Sequence, residues 1–261
     1  MAANDEHHDK IVDQFSQQAE GYARRNTLNA PQAQQALIEL VRPKRDDRLL
    51  DVCCGPGALT LDLAPLVAHA TGLDLTPAML DQARAAQAKR GVDNNEWRVG
   101  DVCALPFADG AFSLVVCSAA FHHLEEPRVA LTEMARVCKA GGRIAVRDVT
   151  PRPECAAAYD RIEKLRDPSH THALTPDEMA RLGDGLALTQ PSLEPSIAAD
   201  LPLGPILDTS FPETCTRDQI RDMIGDDARS GEDRLGFAAK EKDGALLVSY
   251  RLTTAVWTKT G

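Results

Sequence analysis

The spacing of apolar positions changes near residue 48. Before that point, four apolar residues are spaced by four, four and three positions, namely Ile11, Phe15, Ala19 and Tyr22. This spacing places them on one face of a helix over residues 9–24. A second short helix is predicted after Pro31. From residue 48 onward, short apolar runs alternate with amphipathic segments, which is typical of a parallel sheet with crossover helices.

Five strands are predicted in this alternating part of the chain: Arg48–Cys53, Ala70–Leu75, Glu96–Gly100, Phe112–Ala119 and Arg143–Val149. The helices between them are Ala58–Val67, Pro77–Arg90 and Arg128–Cys138. Strands that alternate with helices along the chain form a sheet covered on both faces. The fold class indicated is therefore α/β.

After residue 149 the alternation stops, and short helices are interrupted by prolines and glycines. Two capping boxes, one beginning at Thr175 and one at Thr216, predict helices over Pro176–Leu182 and Arg217–Ile224. We interpret this part as a helical cap. The last segment, Ala245–Lys259, is rich in residues that favour strands and would close the sheet.

Composition narrows the possible functions. Hydrophobic residues make up 43 % of the 261 residues and charged residues 26 %, as in an ordinary globular protein. The formal charge of −10 disfavours nucleic acid as a substrate. No apolar run reaches the roughly 18 residues of a membrane span, and the first ten residues lack the features of a secretory signal, so we expect no membrane insertion and a cytoplasmic location. The seven cysteines lack a Cys-x-x-Cys pair and are expected to serve the core.

Candidate chemistry lies where the predicted strands end. Asp51, Asp74 and Asp101 each come at the end of one of the first three strands, and a glycine-containing loop follows the first. The carboxyl ends of parallel strands are where open α/β sheets bind ligands, and carboxylates suit ribose hydroxyls and an adenine amine. Three such acids predict a nucleoside site. The alternative is that each acid caps the turn after it. Thr60 departs from the Gly-x-Gly-x-x-Gly pattern of dinucleotide sites, which makes an NAD-dependent dehydrogenase the weakest reading.

With these motifs the chain resembles the class I S-adenosylmethionine-dependent methyltransferases, in particular the small-molecule branch related to the ubiquinone and menaquinone methyltransferases. The resemblance is strong over about residues 10–150. The matching segments are Leu49–Gly57, Gly72–Met79, Gly100–Val102 with Leu105–Phe107, Phe112–Leu124 and Glu133–Gly142, and, more weakly, Arg166–His170.

The resemblance implies a Rossmann-like, doubly wound, mostly parallel seven-stranded sheet. N-terminal lid helices would occupy residues 1–45, and the cofactor-binding core residues 46–150. A substrate cap would be inserted after the fifth strand over residues 151–235, and closing strands would follow over 236–261. The implied cofactor is S-adenosyl-L-methionine, and the implied partner is a small-molecule methyl acceptor. The oligomeric state stays open.

The resemblance also assigns roles around the cofactor. Asp51, Gly55 and Gly57 would line its methionine end, and Asp74 would hold the ribose hydroxyls. The remaining assignments are Leu75 and Met79 on the adenine, Asp101 and Val102 at its amine, Ser118 beside the sulfonium, and Phe15 and Tyr22 on the lid. Cys53 stands where the family usually has glycine, so its side chain would crowd the loop.

The implied reaction is an in-line displacement, in which the acceptor attacks the sulfonium methyl and S-adenosylhomocysteine leaves. A histidine could serve as general base for the acceptor. The candidates are His122 and His123 after the fourth strand and His170 in the cap, the alternative being that each is a hydrogen-bonded structural residue. We expect no metal, although His170 and His172 have a spacing that invites one.

Two other functions use the same fold and cofactor. One is a cofactor-binding protein that no longer transfers methyl, suggested by Cys53 in the loop. The other is a lyase or cyclase that uses the sulfonium without methylation. An apolar set in the cap would cover the acceptor or form the core of the cap itself: Tyr159, Leu201, Leu203, Ile206 and Phe211.

Overall fold

A computed structural model describes residues 2–24 and 31–261. The helices are α1 (Ala2–Arg24), α2 (Pro31–Val41), α3 (Ala58–Leu63), α4 (Pro77–Arg90), α5 (Pro127–Val137), α6 (Ala156–Arg166), α7 (Pro176–Arg181), α8 (Leu203–Asp208) and α9 (Arg217–Ser230). The strands are β1 (Arg48–Val52), β2 (His69–Asp74), β3 (Asn95–Val99), β4 (Phe112–Ser118), β5 (Cys138–Val149), β6 (Ser192–Pro202), β7 (Lys240–Lys242) and β8 (Ala245–Thr258). Residue 1 and residues 25–30 of the predicted lid region lie outside the described residues.

The described strands form one sheet in the order β3-β2-β1-β4-β5-β8-β6, with short β7 paired to β8. The pairings from β3 to β5 are all parallel, whereas β8 runs antiparallel to β5, β6 and β7. The predicted doubly wound, mostly parallel α/β sheet is therefore confirmed. Because β1 to β4 are parallel, the loops that follow them meet at one edge.

Alternation along the strands builds a core on each face of the sheet. Leu50 of β1 belongs to a buried cluster that contains Leu131 of α5, whereas its neighbour Leu49 belongs to a second cluster with Leu37 of α2. Helices thus cover both faces, which explains why the parallel strands read as nearly continuous apolar runs.

The segment predicted as a helical cap also supplies a strand. β6 pairs antiparallel with β8 and forms the outer edge of the sheet. Its sequence lacks a clear apolar alternation because most of its residues are exposed, including Ile197 at 58 %. Pro195 within it is compatible with an edge strand. Both predicted capping boxes, at Thr175 and Thr216, are confirmed.

Several elements are longer than predicted. β5 begins at Cys138 rather than Arg143, since the chain passes through Gly141 at φ 71° and continues as strand. α9 continues past Gly225 to Ser230 and ends at Gly231 in the left-handed conformation. Within the part of the chain that the structure describes, no helix has the length and apolarity to cross a membrane.

Candidate active site

The loops after β1, β2, β3 and β4 surround a cavity with about 920 Å³ of atom-free space, part of it open to solvent. We call it the first cavity. All of the predicted cofactor-binding residues line it except Gly57, which precedes α3 with φ 78°. The structure therefore brings side chains from α1 and from the strand ends to one place.

The loop after β1 is shaped by tight packing behind it. A Cβ added to Gly57 would lie 2.3 Å from Trp97, and one added to Gly72 would lie 2.4 Å from the same indole. Gly72 and Trp97 are partners in the pairing of β2 with β3. The indole thus occupies the space that side chains at both glycines would fill. Trp97 was not predicted as a site residue, because it is far from Gly57 and Gly72 in the sequence and meets them only through the packing of β3.

Cys53 adopts φ 53°, in the left-handed region that favours glycine. Glycine adopts this backbone conformation readily, which fits the glycine that the resembling family usually has at this position. Its side chain packs against the buried cluster that holds Leu50 and also lines the first cavity. Crowding of the loop by this side chain, and its effect on affinity, stay predictions.

Asp74 holds the loop and faces the first cavity. Its Oδ2 accepts a hydrogen bond from the Gly55 amide at 2.8 Å, and its Oδ1 accepts one from the Thr76 amide at 2.9 Å. Burial raises the pKa of this carboxyl, although those amides oppose the rise. An ionised carboxylate has about four acceptor positions, so acceptor capacity remains for a ligand with two hydroxyls.

Asp51 lies deeper in the same cavity. Its Oδ2 accepts from the Thr60 hydroxyl at 2.6 Å. Burial raises the pKa of Asp51 to about 7, the hydrogen bond from Thr60 opposes the rise, and the charge of Asp74 adds to it. A cationic group in the first cavity would favour the ionised form of this carboxyl.

Asp101 and Ser118 complete the polar lining. Asp101 Oδ1 accepts from the Cys103 amide at 2.8 Å, and its Oδ2 lies 3.7 Å from His8 Nε2 of α1. The Ser118 hydroxyl oxygen accepts from Nε of Arg147, a buried side chain that the sequence analysis missed. Asp74 and Asp101 therefore cap their own turns, as the alternative reading had it, and also line the cavity.

His122 and His123 follow β4 and are both buried. His122 Nδ1 lies 2.6 Å from Asp148 Oδ1, and its amide donates to the other oxygen of the same carboxylate. Burial disfavours the charged ring, but the charge and hydrogen bond of Asp148 outweigh it and raise the pKa of His122. This ring is therefore held by a buried carboxylate. It lines a second cavity and not the first.

His123 ends a hydrogen-bonded series from the cap. Gln18 donates to Asp167 Oδ2 at 3.0 Å, Ser169 Oγ donates to Asp167 Oδ1 at 2.5 Å, and Ser169 Oγ lies 3.0 Å from His123 Nδ1. Burial raises the pKa of Asp167, but the charge of Arg166 and the hydrogen bonds of Ser169 and Gln18 hold it below its usual value. Asp167 is thus ionised.

The series assigns the proton of the His123 ring. Because the Ser169 proton is directed at the ionised Asp167, the Ser169 oxygen must accept from His123 Nδ1–H. The lone pair then lies on Nε2. Burial, with the charge of His122 adding to it, holds the pKa of His123 well below its usual value, so the ring is neutral. Nε2 can therefore accept a hydrogen bond from a ligand, and the low pKa makes the ring a weak base.

His170 packs beside His122 and pairs with a carboxylate of α6. Its Nε2 is 2.8 Å from Asp160 Oδ1, and Asp160 also pairs with His172 at 2.6 Å. His170 lines neither cavity, although its ring centroid lies 6.3 Å from that of His123 and 5.5 Å from that of His122. In the described ranges, no three side chains of the His, Cys, Asp and Glu types are arranged to hold a metal ion.

The second cavity lies between the sheet edge and the cap, with about 650 Å³ of atom-free space that includes open solvent. It shares four lining residues with the first cavity: Phe15, Tyr22, Ala119 and His123. The ring centroids of Phe15 and His123 are 4.9 Å apart in an edge-on arrangement. Of the predicted apolar cap set, Tyr159 and Ile206 line this cavity and also belong to the core of the cap.

Comparison with known proteins agrees with this arrangement. Residues 50–146 match the sequence family described as “Methyltransferase domain”. This stretch of the chain is similar to methyltransferase domains. It runs from β1 into β5, so it includes Asp51, Asp74 and Asp101 at the strand ends as well as His123. The resemblance found in the sequence is confirmed.

Two curated relatives carry related names. “Uncharacterized methyltransferase YcgJ” of Bacillus subtilis (strain 168) is 31 % identical over 158 residues, which cover 60 % of this chain and 62 % of that protein. “Ubiquinone/menaquinone biosynthesis C-methyltransferase UbiE” of Roseobacter denitrificans is 36 % identical over 131 residues, 48 % of this chain and 52 % of that protein. The chain thus spans between about half and two thirds of the length of these relatives.

The similarity in fold extends beyond the matched residues. The crystal structure of the YcgJ protein from Bacillus subtilis superposes with a TM-score of 0.76, covering 89 % of this chain and 100 % of that chain at 21 % identity. At that identity the likeness shows the fold. The similarity in fold therefore includes elements outside residues 50–146.

Proposed function

We propose that the protein transfers a methyl group from S-adenosyl-L-methionine to a small organic acceptor and releases S-adenosylhomocysteine. The observation that carries the proposal is the junction of two cavities at His123. The first cavity lies at the strand ends of a methyltransferase domain and is lined by Asp51, Asp74 and Asp101. The second lies under the cap and meets the first at His123.

The residues of the first cavity fit the cofactor. Asp74 retains acceptor positions for two ribose hydroxyls, and Asp51 is a buried carboxyl whose ionised form a cation would favour. Leu75 and Met79 supply apolar contact for the adenine. Asp101 retains Oδ2 toward the cavity while Oδ1 holds its turn. When bound, S-adenosylmethionine would supply a methyl group already activated by the sulfonium.

The side chains of this chain would then align the partners and exclude water. Phe15 and Tyr22 of α1 line both cavities and would cover the point where they meet. His123, with Nδ1 bound to Ser169, would accept the proton of the acceptor at Nε2. In this proposal His122 and His170 are structural residues. His122 is fixed by its pairing with Asp148, and His170 by its pairing with Asp160.

A small-molecule acceptor is supported by the cavity and by the relatives. The second cavity is enclosed by side chains of the sheet edge, α1 and the cap, which suits a small ligand. The UbiE relative is named for methylation in ubiquinone and menaquinone biosynthesis. The net charge of −10 opposes a nucleic-acid acceptor.

Calorimetric titration with S-adenosylmethionine and S-adenosylhomocysteine, with NAD as control, tests the cofactor. We expect micromolar binding of the two sulfur nucleosides and none of NAD. Incubation with methyl-labelled S-adenosylmethionine and pools of small metabolites then tests transfer. Label in a low-mass product together with an equal amount of S-adenosylhomocysteine supports the proposal. Binding without label transfer favours the non-methylating alternatives, and no binding overturns the proposal.

A further inference from the structure

The second cavity is lined by a buried carboxylate of which only one oxygen accepts hydrogen bonds within the described part of the chain. Glu163 of α6 lines this cavity and is 3 % exposed. Its Oε2 accepts from both Nε and Nη2 of Arg166, the Nε bond being 3.0 Å long. Its other oxygen, Oε1, is buried and has no hydrogen-bond partner among the described residues. An unpaired oxygen on a buried carboxylate costs free energy that a ligand donor would recover.

Two other charged side chains around this cavity, Arg166 and Asp167, already have hydrogen-bond partners in the protein. Arg166 makes two bonds to Glu163 and reaches the Ser210 hydroxyl at 3.3 Å with Nη1. Asp167 accepts from Ser169 and Gln18. Of the buried polar atoms that lack a partner within the described ranges, Glu163 Oε1 alone belongs to a residue lining the second cavity.

The rest of the lining is aromatic and apolar. Tyr159 of α6 and Tyr250 of β8 line the cavity beside Ile206 of α8, and Phe15 lines it from α1. Such a surface accepts a ring or a short aliphatic body, and aromatic faces also attract cationic groups. A carboxylate or phosphate on the ligand would instead meet the free oxygen of Glu163 and be repelled.

From this arrangement we infer that the second cavity binds an uncharged or cationic small molecule whose N–H or O–H group donates to Glu163 Oε1. The inference rests on the proposed function only in naming this molecule as the methyl acceptor. It makes Glu163 a residue that determines specificity, because its carboxylate selects donors and rejects anions. Amines and alcohols are accordingly the expected acceptor class, and organic acids are excluded.

The test compares three probes that share one ring: benzylamine, benzyl alcohol and benzoate. Binding is followed by NMR at the labelled δ1-methyl of Ile206, which lines the second cavity, while Ile11 reports on the first. We expect benzylamine and benzyl alcohol to shift the Ile206 signal with dissociation constants at least about tenfold lower than that of benzoate, the worth of one hydrogen bond to a charged group.

Glu163→Gln reverses the polarity of the site. The amide keeps a carbonyl oxygen for Arg166 and presents an NH₂ donor in place of Oε1. We expect the preference for benzylamine over benzoate to fall about tenfold or to invert, whereas Glu213→Gln, an exposed control, leaves it unchanged. Should the variant fail to fold, the ranking of the three probes on the native protein still decides the matter.

Two results would overturn the inference: benzoate shifting Ile206 as strongly as benzylamine, or Glu163→Gln folding normally with the ranking unchanged. Neither measurement uses the cofactor. Failure of the calorimetric titration would therefore overturn the proposed function while the Glu163 site stands. Failure of the probe ranking would remove the acceptor class and leave methyl transfer itself intact.

Discussion

Replacement of Asp74 is the sharpest test of the first cavity, because this carboxylate has two separable tasks. It holds the amides of Gly55 and Thr76, and in the proposed complex it also accepts from two ribose hydroxyls. Asp74→Asn keeps one carbonyl oxygen, whereas Asp74→Ala removes every acceptor. The two variants should therefore weaken cofactor binding to different extents.

The magnitude follows from the number of bonds. A hydrogen bond to a charged group contributes roughly 1.5–3 kcal/mol. Asp74→Asn loses the charge and one acceptor oxygen, so we expect a loss of about 2 kcal/mol, or about 30-fold in Kd. Asp74→Ala loses both ligand bonds, and we expect about 3 kcal/mol or more, or about 150-fold. The alanine variant should also lower the free energy of unfolding, since the amides of Gly55 and buried Thr76 lose their acceptor.

Calorimetric titration with S-adenosylhomocysteine measures both variants, and urea denaturation without ligand measures the cost to the loop. Asp81→Asn on α4 is a suitable control, because Asp81 is an exposed carboxylate that pairs with Arg84. The control should bind like the native protein. If both Asp74 variants fold and change Kd by less than threefold, the assigned role of this carboxylate is wrong.

Three further predictions concern other parts of the site. His123→Ala should lower turnover by about 100-fold or more with cofactor affinity nearly unchanged. Nitrogen NMR should show the proton of the native His123 ring on Nδ1, and Ser169→Ala should remove this preference. A proton on Nε2 in the native protein would contradict the assignment. Asp51 is largely protonated below its pKa of about 7, and a cationic cofactor favours its ionised form. The affinity for S-adenosylmethionine should therefore rise from pH 6 to 8 with release of a proton, and Asp51→Asn should flatten this dependence. An affinity of the native protein that falls over this pH range would refute the prediction. Gly72→Ala should lower the free energy of unfolding by about 1–3 kcal/mol, because the added Cβ would clash with Trp97. Adding Trp97→Leu to this variant should recover part of the loss. An unchanged urea midpoint in Gly72→Ala would show that the indole is not packed there.

The sheet and the first cavity were accessible from sequence for a simple physical reason. Buried parallel strands appear as apolar runs, and the acids that follow them must meet at one edge. The sequence alone therefore predicts that Asp51, Asp74 and Asp101 lie close together. β6 could not, because an exposed edge strand has no reason to carry the apolar alternation that marks a half-buried one.

The second cavity depends on contacts between distant parts of the chain. Ser169 reaches His123 across 46 positions, and Gln18 reaches Asp167 across 149. No local pattern encodes such pairings, since they follow from how the cap and α1 pack on the sheet. The sequence offered His122, His123 and His170 as candidates, and only the packing separates His123, which lines both cavities, from the two rings that pair with Asp148 and Asp160.

Helix α1 has a kinetic consequence. Phe15 and Tyr22 line both cavities, so the two proposed ligands would contact the same two side chains of α1. In the proposed reaction, an acceptor that binds before S-adenosylhomocysteine dissociates would form an unproductive ternary complex. We therefore expect inhibition at high acceptor concentration, with release of products, rather than the displacement itself, setting the pace of turnover.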